Sequence, residues 1–147
     1  MSERTRMPVL DSPFIIAAAF VVGVVAGLRS MTAPAAVALA RHAPVLGPLF
    51  VIAAIVEDVV DKHPKMPSRL RFPSIALRPI SGALSAYFLA GGIEAGAIGF
   101  VGAVAGSFAG AAWRGYWAKR GSTDLLPALL EDAAAALLAW GIVFAFS

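Results

Sequence analysis

The sequence predicts an all-α integral membrane protein with about five transmembrane helices. Three observations carry that expectation. Of the 147 residues, 59% are hydrophobic and only 14% charged, with a mean hydropathy of +0.80. The charges gather in short clusters between apolar runs, and the runs are bounded by prolines, glycine pairs and capping residues. An average soluble domain carries about 25% charged residues, and at this length it buries only about 70% of its surface, leaving the remainder to be covered by polar groups. Lipid as solvent removes the conflict. The chain reads as one helical domain, 1–147, with a polar N-terminal segment 1–12 and a basic loop 62–78.

The first span opens with Ser12 as N-cap and Pro13 at the first helical position, and then runs without a charge from Phe14 to Arg29. Continued straight to Ala40 it would be about 40 Å long, against a hydrocarbon core of about 30 Å. The polar stretch Arg29, Ser30, Thr32 together with Pro34 predicts a broken first helix. A second span, 47–61, follows the turn-forming Ala43-Pro44 and Gly47-Pro48 pairs and ends in charge. Segment 62–78 carries Lys62, Lys65, Arg69, Arg71 and Arg78 with Pro64, Pro67 and Pro73, which predicts a loop at the membrane surface. The third span opens at Pro79 and ends before Gly91-Gly92. The fourth covers 95–113, and the fifth covers 125–146 behind the capping residues Ser122, Thr123 and Asp124.

Five spans place the chain ends on opposite sides. Ten of the twelve lysines and arginines then fall on the side of the N-terminus, and Arg41 falls on the other. The expected orientation is an inner-membrane protein with the N-terminus inside and the C-terminus outside. The net charge of +3 is not arranged as a stripe, so nucleic acid is not an expected partner. The absence of cysteine excludes disulfides and thiolate metal sites.

Segment 22–27, Val-Gly-Val-Val-Ala-Gly, echoes 101–106, Val-Gly-Ala-Val-Ala-Gly, and each is followed downstream by an acidic pair. Two readings stay open: a degenerate inverted repeat, with the first copy running outward and the second inward, or recurrence by chance in a chain rich in glycine and alanine. Ala19, Gly23 and Gly27 form one small-residue strip and Gly102, Gly106 and Gly110 another. Both are packing signals, and the second is a candidate homo-oligomer interface as well as an internal one.

Glu57, Asp58, Asp61, Glu131 and Asp132 are the candidate site residues, with Arg29 and Arg78 as charge partners and Arg114 as a further counter-ion. A charge within an apolar helix costs about 2.5 to 3.5 kcal/mol on insertion scales unless paired or reached by water. Glu57 and Asp61 share a helical face, whereas Asp58 and Lys62 are spaced to pair with each other. One reading makes these charges structural salt bridges. The other makes them a polar cavity in which Glu57 and Glu131 bind a proton or cation and an arginine holds an anionic group. His42 and His63 fall in loops without companion ligands, and no nucleophile, phosphate-loop or zinc-helix motif is present, so an enzyme and a cofactor are not expected. Trp113, Tyr116 and Trp117 beside Arg114 and Lys119 read as an aromatic belt.

The run Glu57-x-x-x-Asp61-Lys62-x-Pro64, followed by Arg78-Pro79-x-x-Gly82-Ala83 and by Glu131-Asp132 in an apolar helix, resembles the membrane family called domain of unknown function 4126. The resemblance implies a small multi-helix membrane protein and supplies no substrate. The functional expectation is a small transporter or channel-like protein for a cation or a proton-coupled solute. The alternative is a noncatalytic scaffold or assembly factor that binds lipid or a partner through the basic loop.

Overall fold

The computed structural model of the chain describes residues 12–61, 72–121, 123 and 125–147. Among the described residues there are six helices: α1 (Pro13–Leu28), α2 (Thr32–Ala40), α3 (Leu46–Asp61), α4 (Ser74–Ala90), α5 (Ile93–Lys119) and α6 (Leu125–Phe146). No strand occurs among the described residues.

The expectation of about five spans is overturned. Among the described residues only α5, with 27 residues, and α6, with 22, are long and apolar enough to cross a membrane. The helices α1, α3 and α4 have 16, 16 and 17 residues, or roughly 24 to 26 Å at 1.5 Å per residue, short of a core of about 30 Å. Charge sets the limits: Arg29 closes α1, Glu57 and Asp58 interrupt the apolar run of α3, and Arg78 lies in the second turn of α4. Arg78 therefore belongs to a helix and is buried there, not to a surface loop. Segment 62–71 lies outside the described residues. Pro79, expected to open its helix, sits inside α4, which begins five residues earlier.

The first apolar run is broken at Arg29–Met31, and Pro34 lies in the first turn of α2. The chain reverses there. Arg41, at the end of α2, donates to the carbonyl of Leu89 near the end of α4, whereas Arg78 near the start of α4 reaches the end of α1. So α2 runs back along the bundle, and the six helices alternate in direction.

The core is a set of close helix contacts with few large side chains. Ala19, Val22, Val25 and Ala26 of α1, Ala86 and Leu89 of α4 and Ala95 and Ala103 of α5 form its centre. A Cβ on Gly23 would meet the Gly99 carbonyl, one on Gly27 the Ala103 carbonyl, one on Gly102 the Phe20 carbonyl, and one on Gly106 the Val24 carbonyl. Backbone thus lies on backbone, the arrangement small residues permit. These contacts also use up Gly102 and Gly106 internally, so that strip is not a homo-oligomer interface. The helices α4 and α5 form an antiparallel hairpin through Gly91 (φ 74°) and Gly92 (φ 104°), a turn that only glycine makes without strain.

The same contacts correct the repeat. Gly23 meets residue 99 and Gly27 meets residue 103, so position advances together along α1 and α5. The echoing hexamers pack directly on each other and run parallel, where inverted copies would oppose. The reversal by α2 supplies the extra change of direction. It also brings the start of α1 and the end of α6 together, with Phe14 stacked on Phe146 at 5.7 Å, rather than on opposite sides as five spans would require.

The outer surface is apolar. Leu49, Ile52, Ile55, Val56 and Val59 of α3, Ile80, Leu84 and Phe88 of α4, and Leu137, Trp140 and Phe144 of α6 are all exposed. Soluble monomers rarely expose contiguous apolar patches beyond a few hundred Å².

Candidate functional site

The site begins with a local problem of the backbone. Where α1 stops, its last carbonyls have no partner along the helix, and where α2 starts, its first N–H groups have none either. Arg29 leaves the helix in an extended conformation (φ −143°, ψ 109°), so the two orphaned ends meet inside the bundle, away from water. Two distant side chains satisfy them. Arg78 donates through Nη1 to the carbonyls of Gly27 at 2.6 Å and Leu28 at 2.8 Å, and its Nε donates to Ser74 Oγ at 3.0 Å. Glu57 accepts from the Ser30 N–H at 2.9 Å, the Ser30 hydroxyl at 2.5 Å and the Met31 N–H at 2.8 Å. Each charge suits the partial charge of the end it holds, cation at the C-terminus of α1 and anion at the N-terminus of α2. The two side chains also form an ion pair, with Arg78 Nη2 3.9 Å from Glu57 Oε1. Ser81 donates to the Ser30 carbonyl at 2.6 Å, and Ser107 adds a weaker bond to Gly27.

Arg29 itself turns toward α3 and α6. Its Nη2 lies 3.1 Å from Asp58 and also donates to Asp132. Asp58 therefore has Arg29 as a partner, and the expected partner Lys62 lies outside the described residues. Glu131 is buried and accepts from Arg114 Nε at 3.0 Å. So the structure brings Asp58 and Asp132 together on one guanidinium, while Glu57 pairs with Arg78 and Glu131 with Arg114. Asp61 is the last residue of α3, and its side chain is outside the described residues.

A groove of about 390 Å³ opens between α2, α3 and α6. Its polar end is Arg29, Thr32, Asp58 and Asp132, and the rest is apolar, with Ala36, Ala54, Ala139 and Trp140 among its walls. The Asp58 side chain is 34% exposed and that of Asp132 20%, and both line the groove, with Asp132 Oδ2 buried. Across the whole cluster three arginines face four carboxylates. Among the described residues no group of three His, Cys, Asp or Glu could hold a metal ion. His42 is exposed in the turn after α2, and His63 lies outside the described residues.

The serines were not legible as site residues. In the sequence Ser30 is only part of the polar stretch that breaks the first helix, the signal for Ser74 is its place four residues before Arg78 on one helical face, and nothing marks Ser81. The aromatic cluster is also more than a belt: Trp113 donates to the Pro127 carbonyl at 3.2 Å, and Arg120 lies over the Tyr116 ring at 4.4 Å.

Fold and site together define a helical bundle with an ion-paired break between its first two helices. No family model matches the chain, and no curated protein or solved structure matches it either.

Proposed function

We propose that the chain is a small integral membrane protein that moves a cation or a proton-coupled small solute, with the Arg29–Asp58–Asp132 cluster as its binding site. The supporting observation is the placement of that cluster at the polar end of an open groove, with carboxylates from two different helices on one arginine. Broken helices and intramembrane acids recur together at transport sites, because helix ends and charges are tolerated at depth only where they meet each other or a solute. Here the Glu57–Arg78 pair consumes the helix ends, which leaves Asp58 and Asp132 to exchange a proton or cation against Arg29. The resemblance to domain of unknown function 4126 belongs to this proposal and adds no substrate to it.

The orientation within this reading reverses the one five spans suggested. Lys119 and Arg120 close α5 at the helix-break end, and Lys62, Lys65, Arg69 and Arg71 follow α3 in the chain, six in all, against Arg41 and, ahead of α1 in the chain, Arg4 and Arg6 for the other end. The positive-inside rule puts the helix-break end in the cytoplasm and both ends of the described chain outside. The test is flux in proteoliposomes under a pH gradient or a cation gradient. Asp58→Asn and Asp132→Asn abolish it in a protein that still elutes as a folded species; full flux in both variants removes the cluster from any transport role.

A further inference from the structure

A second crevice, of about 610 Å³, lies on the other side of α2, between it and α3 and α4. Its walls are almost wholly apolar, Val37, Leu46, Phe50, Leu77, Ile80 and Leu84 among them, and it is separate from the charged groove. Three polar side chains stand in it, of which Ser81 already donates to the Ser30 carbonyl. Ser85 is 3% exposed, and its hydroxyl has no hydrogen-bond partner. A buried hydroxyl left so is costly unless something else supplies an acceptor. Arg41 is at the open end and donates to the Leu89 carbonyl, and no carboxylate among the described residues pairs with it.

We infer that this crevice binds one anionic glycerophospholipid, its phosphate on Arg41, a glycerol ester carbonyl accepting from Ser85, and one acyl chain along α4 toward Leu77. Leu89, which receives Arg41, and Ser85 are four residues apart on α4, about 6 Å at 1.5 Å per residue, the order of separation between a phospholipid's phosphate and its ester carbonyls. From Ser85 to Leu77 the apolar wall continues for a further ~12 Å by the same rise. The volume falls in the ordinary range of ligand sites, about 300 to 1,000 Å³. Arg41 is at the end of α2, where a headgroup layer would lie, and its uncompensated charge favours an anionic lipid over a zwitterionic one. The assignment rests on the membrane embedding and is independent of transport.

Native mass spectrometry of the protein, delipidated and then reconstituted with phosphatidylglycerol or phosphatidylcholine, decides it. One phosphatidylglycerol is retained per chain, and phosphatidylcholine is held several-fold less. Arg41→Gln lowers retention at least about tenfold, the loss of a charge-assisted hydrogen bond. Leu84→Trp, at an exposed position of the crevice wall, blocks it by bulk, and Ser85→Ala lowers it by about threefold to tenfold. Equal retention of both lipids, retention unchanged by Arg41→Gln and Leu84→Trp, or an empty crevice overturns the assignment. Flux in the Leu84→Trp variant is unchanged, so failure of the lipid site and failure of the transport site read out separately.

Discussion

Arg78 and Glu57 stand 3.9 Å apart across the break between α1 and α2, each bound to the helix end whose partial charge is opposite to its own. The pair does in the interior what capping side chains do at a surface. Without it, the Ser30 and Met31 amides would lose their acceptor and the Gly27 carbonyl would keep only its weaker bond from Ser107, and the chain would have little reason to reverse at Arg29 and not to continue as one long helix.

The two partners are therefore coupled, and their losses do not add. Arg78→Met leaves Glu57 as an unmatched carboxylate and uncaps α1, and is expected to cost about 3 to 5 kcal/mol. Glu57→Gln keeps some of the bonds to Ser30 and Met31, and costs less. In the double variant the loss falls short of the sum, so the coupling, taken as the double minus the two singles, is negative. Thermal melting of the four species in one detergent measures it; strict additivity would mean that the two side chains act on their helix ends independently.

At Arg29 the asymmetry runs the other way. Asp58→Asn leaves the Arg29–Asp132 pair in place, and Asp58 is partly exposed, so the loss is about 1 kcal/mol or less. Arg29→Ala removes the guanidinium that Asp58 and Asp132 share and costs about 3 kcal/mol or more. Arg29→Lys is intermediate, because a single ammonium lacks the planar fork that reaches two carboxylates at once. A rank order in melting temperature with Asp58→Asn below Arg29→Ala would refute this arrangement.

The glycines separate into two classes that one substitution distinguishes. A Cβ at Gly102 or Gly106 runs into the backbone of α1, which cannot move without parting the core helices, so Gly102→Ala and Gly106→Ala cost about 1 to 3 kcal/mol. Gly115 and Gly141 have nothing within 4 Å of a new Cβ. Alanine there restores helix propensity and is neutral or stabilising by up to about 1 kcal/mol. Melting curves of the four variants in the same detergent check both halves.

The small-residue strips, the cap at Ser12-Pro13, the Gly91-Gly92 turn and the cost of the buried acids were all legible in the sequence, since each is a local signal. What the strips pack against was not, because Gly23 meets Gly99 across 76 positions of chain and nothing local names the partner. The reversal at Arg29–Met31 was hidden for the same reason. Thr32–Ala40 is nine residues of alanine, valine and leucine around a proline, which reads equally as a continuation or a tail of α1. Its direction is set by Glu57 and Arg78, reached from other helices. Missing that one change of direction turned parallel helices into an apparent inverted repeat and moved a chain end across the bundle. The acids were found individually, but their partners were exchanged: composition shows that arginines are available and not which carboxylate each one reaches.

Because the chain has no cysteine, topology can be tested without background. Ser12 precedes α1 and Ser147 follows α6, and the stacking of Phe14 on Phe146 places both at one end of the bundle. Thr123 precedes α6, whose 22 residues put it about 33 Å away, farther than the thickness of a hydrocarbon core. Single-cysteine variants Ser12→Cys and Ser147→Cys are thus expected to react with a membrane-impermeant maleimide from the same side, and Thr123→Cys only from the other. Labelling of Ser12→Cys and Ser147→Cys from opposite sides would require α1 and α6 to be parallel, and the Arg29–Asp132 pair could not then form, since Asp132 lies near the start of α6 and Arg29 at the end of α1. A membrane topology and a buried ion pair are in this way one claim, and the labelling pattern tests both.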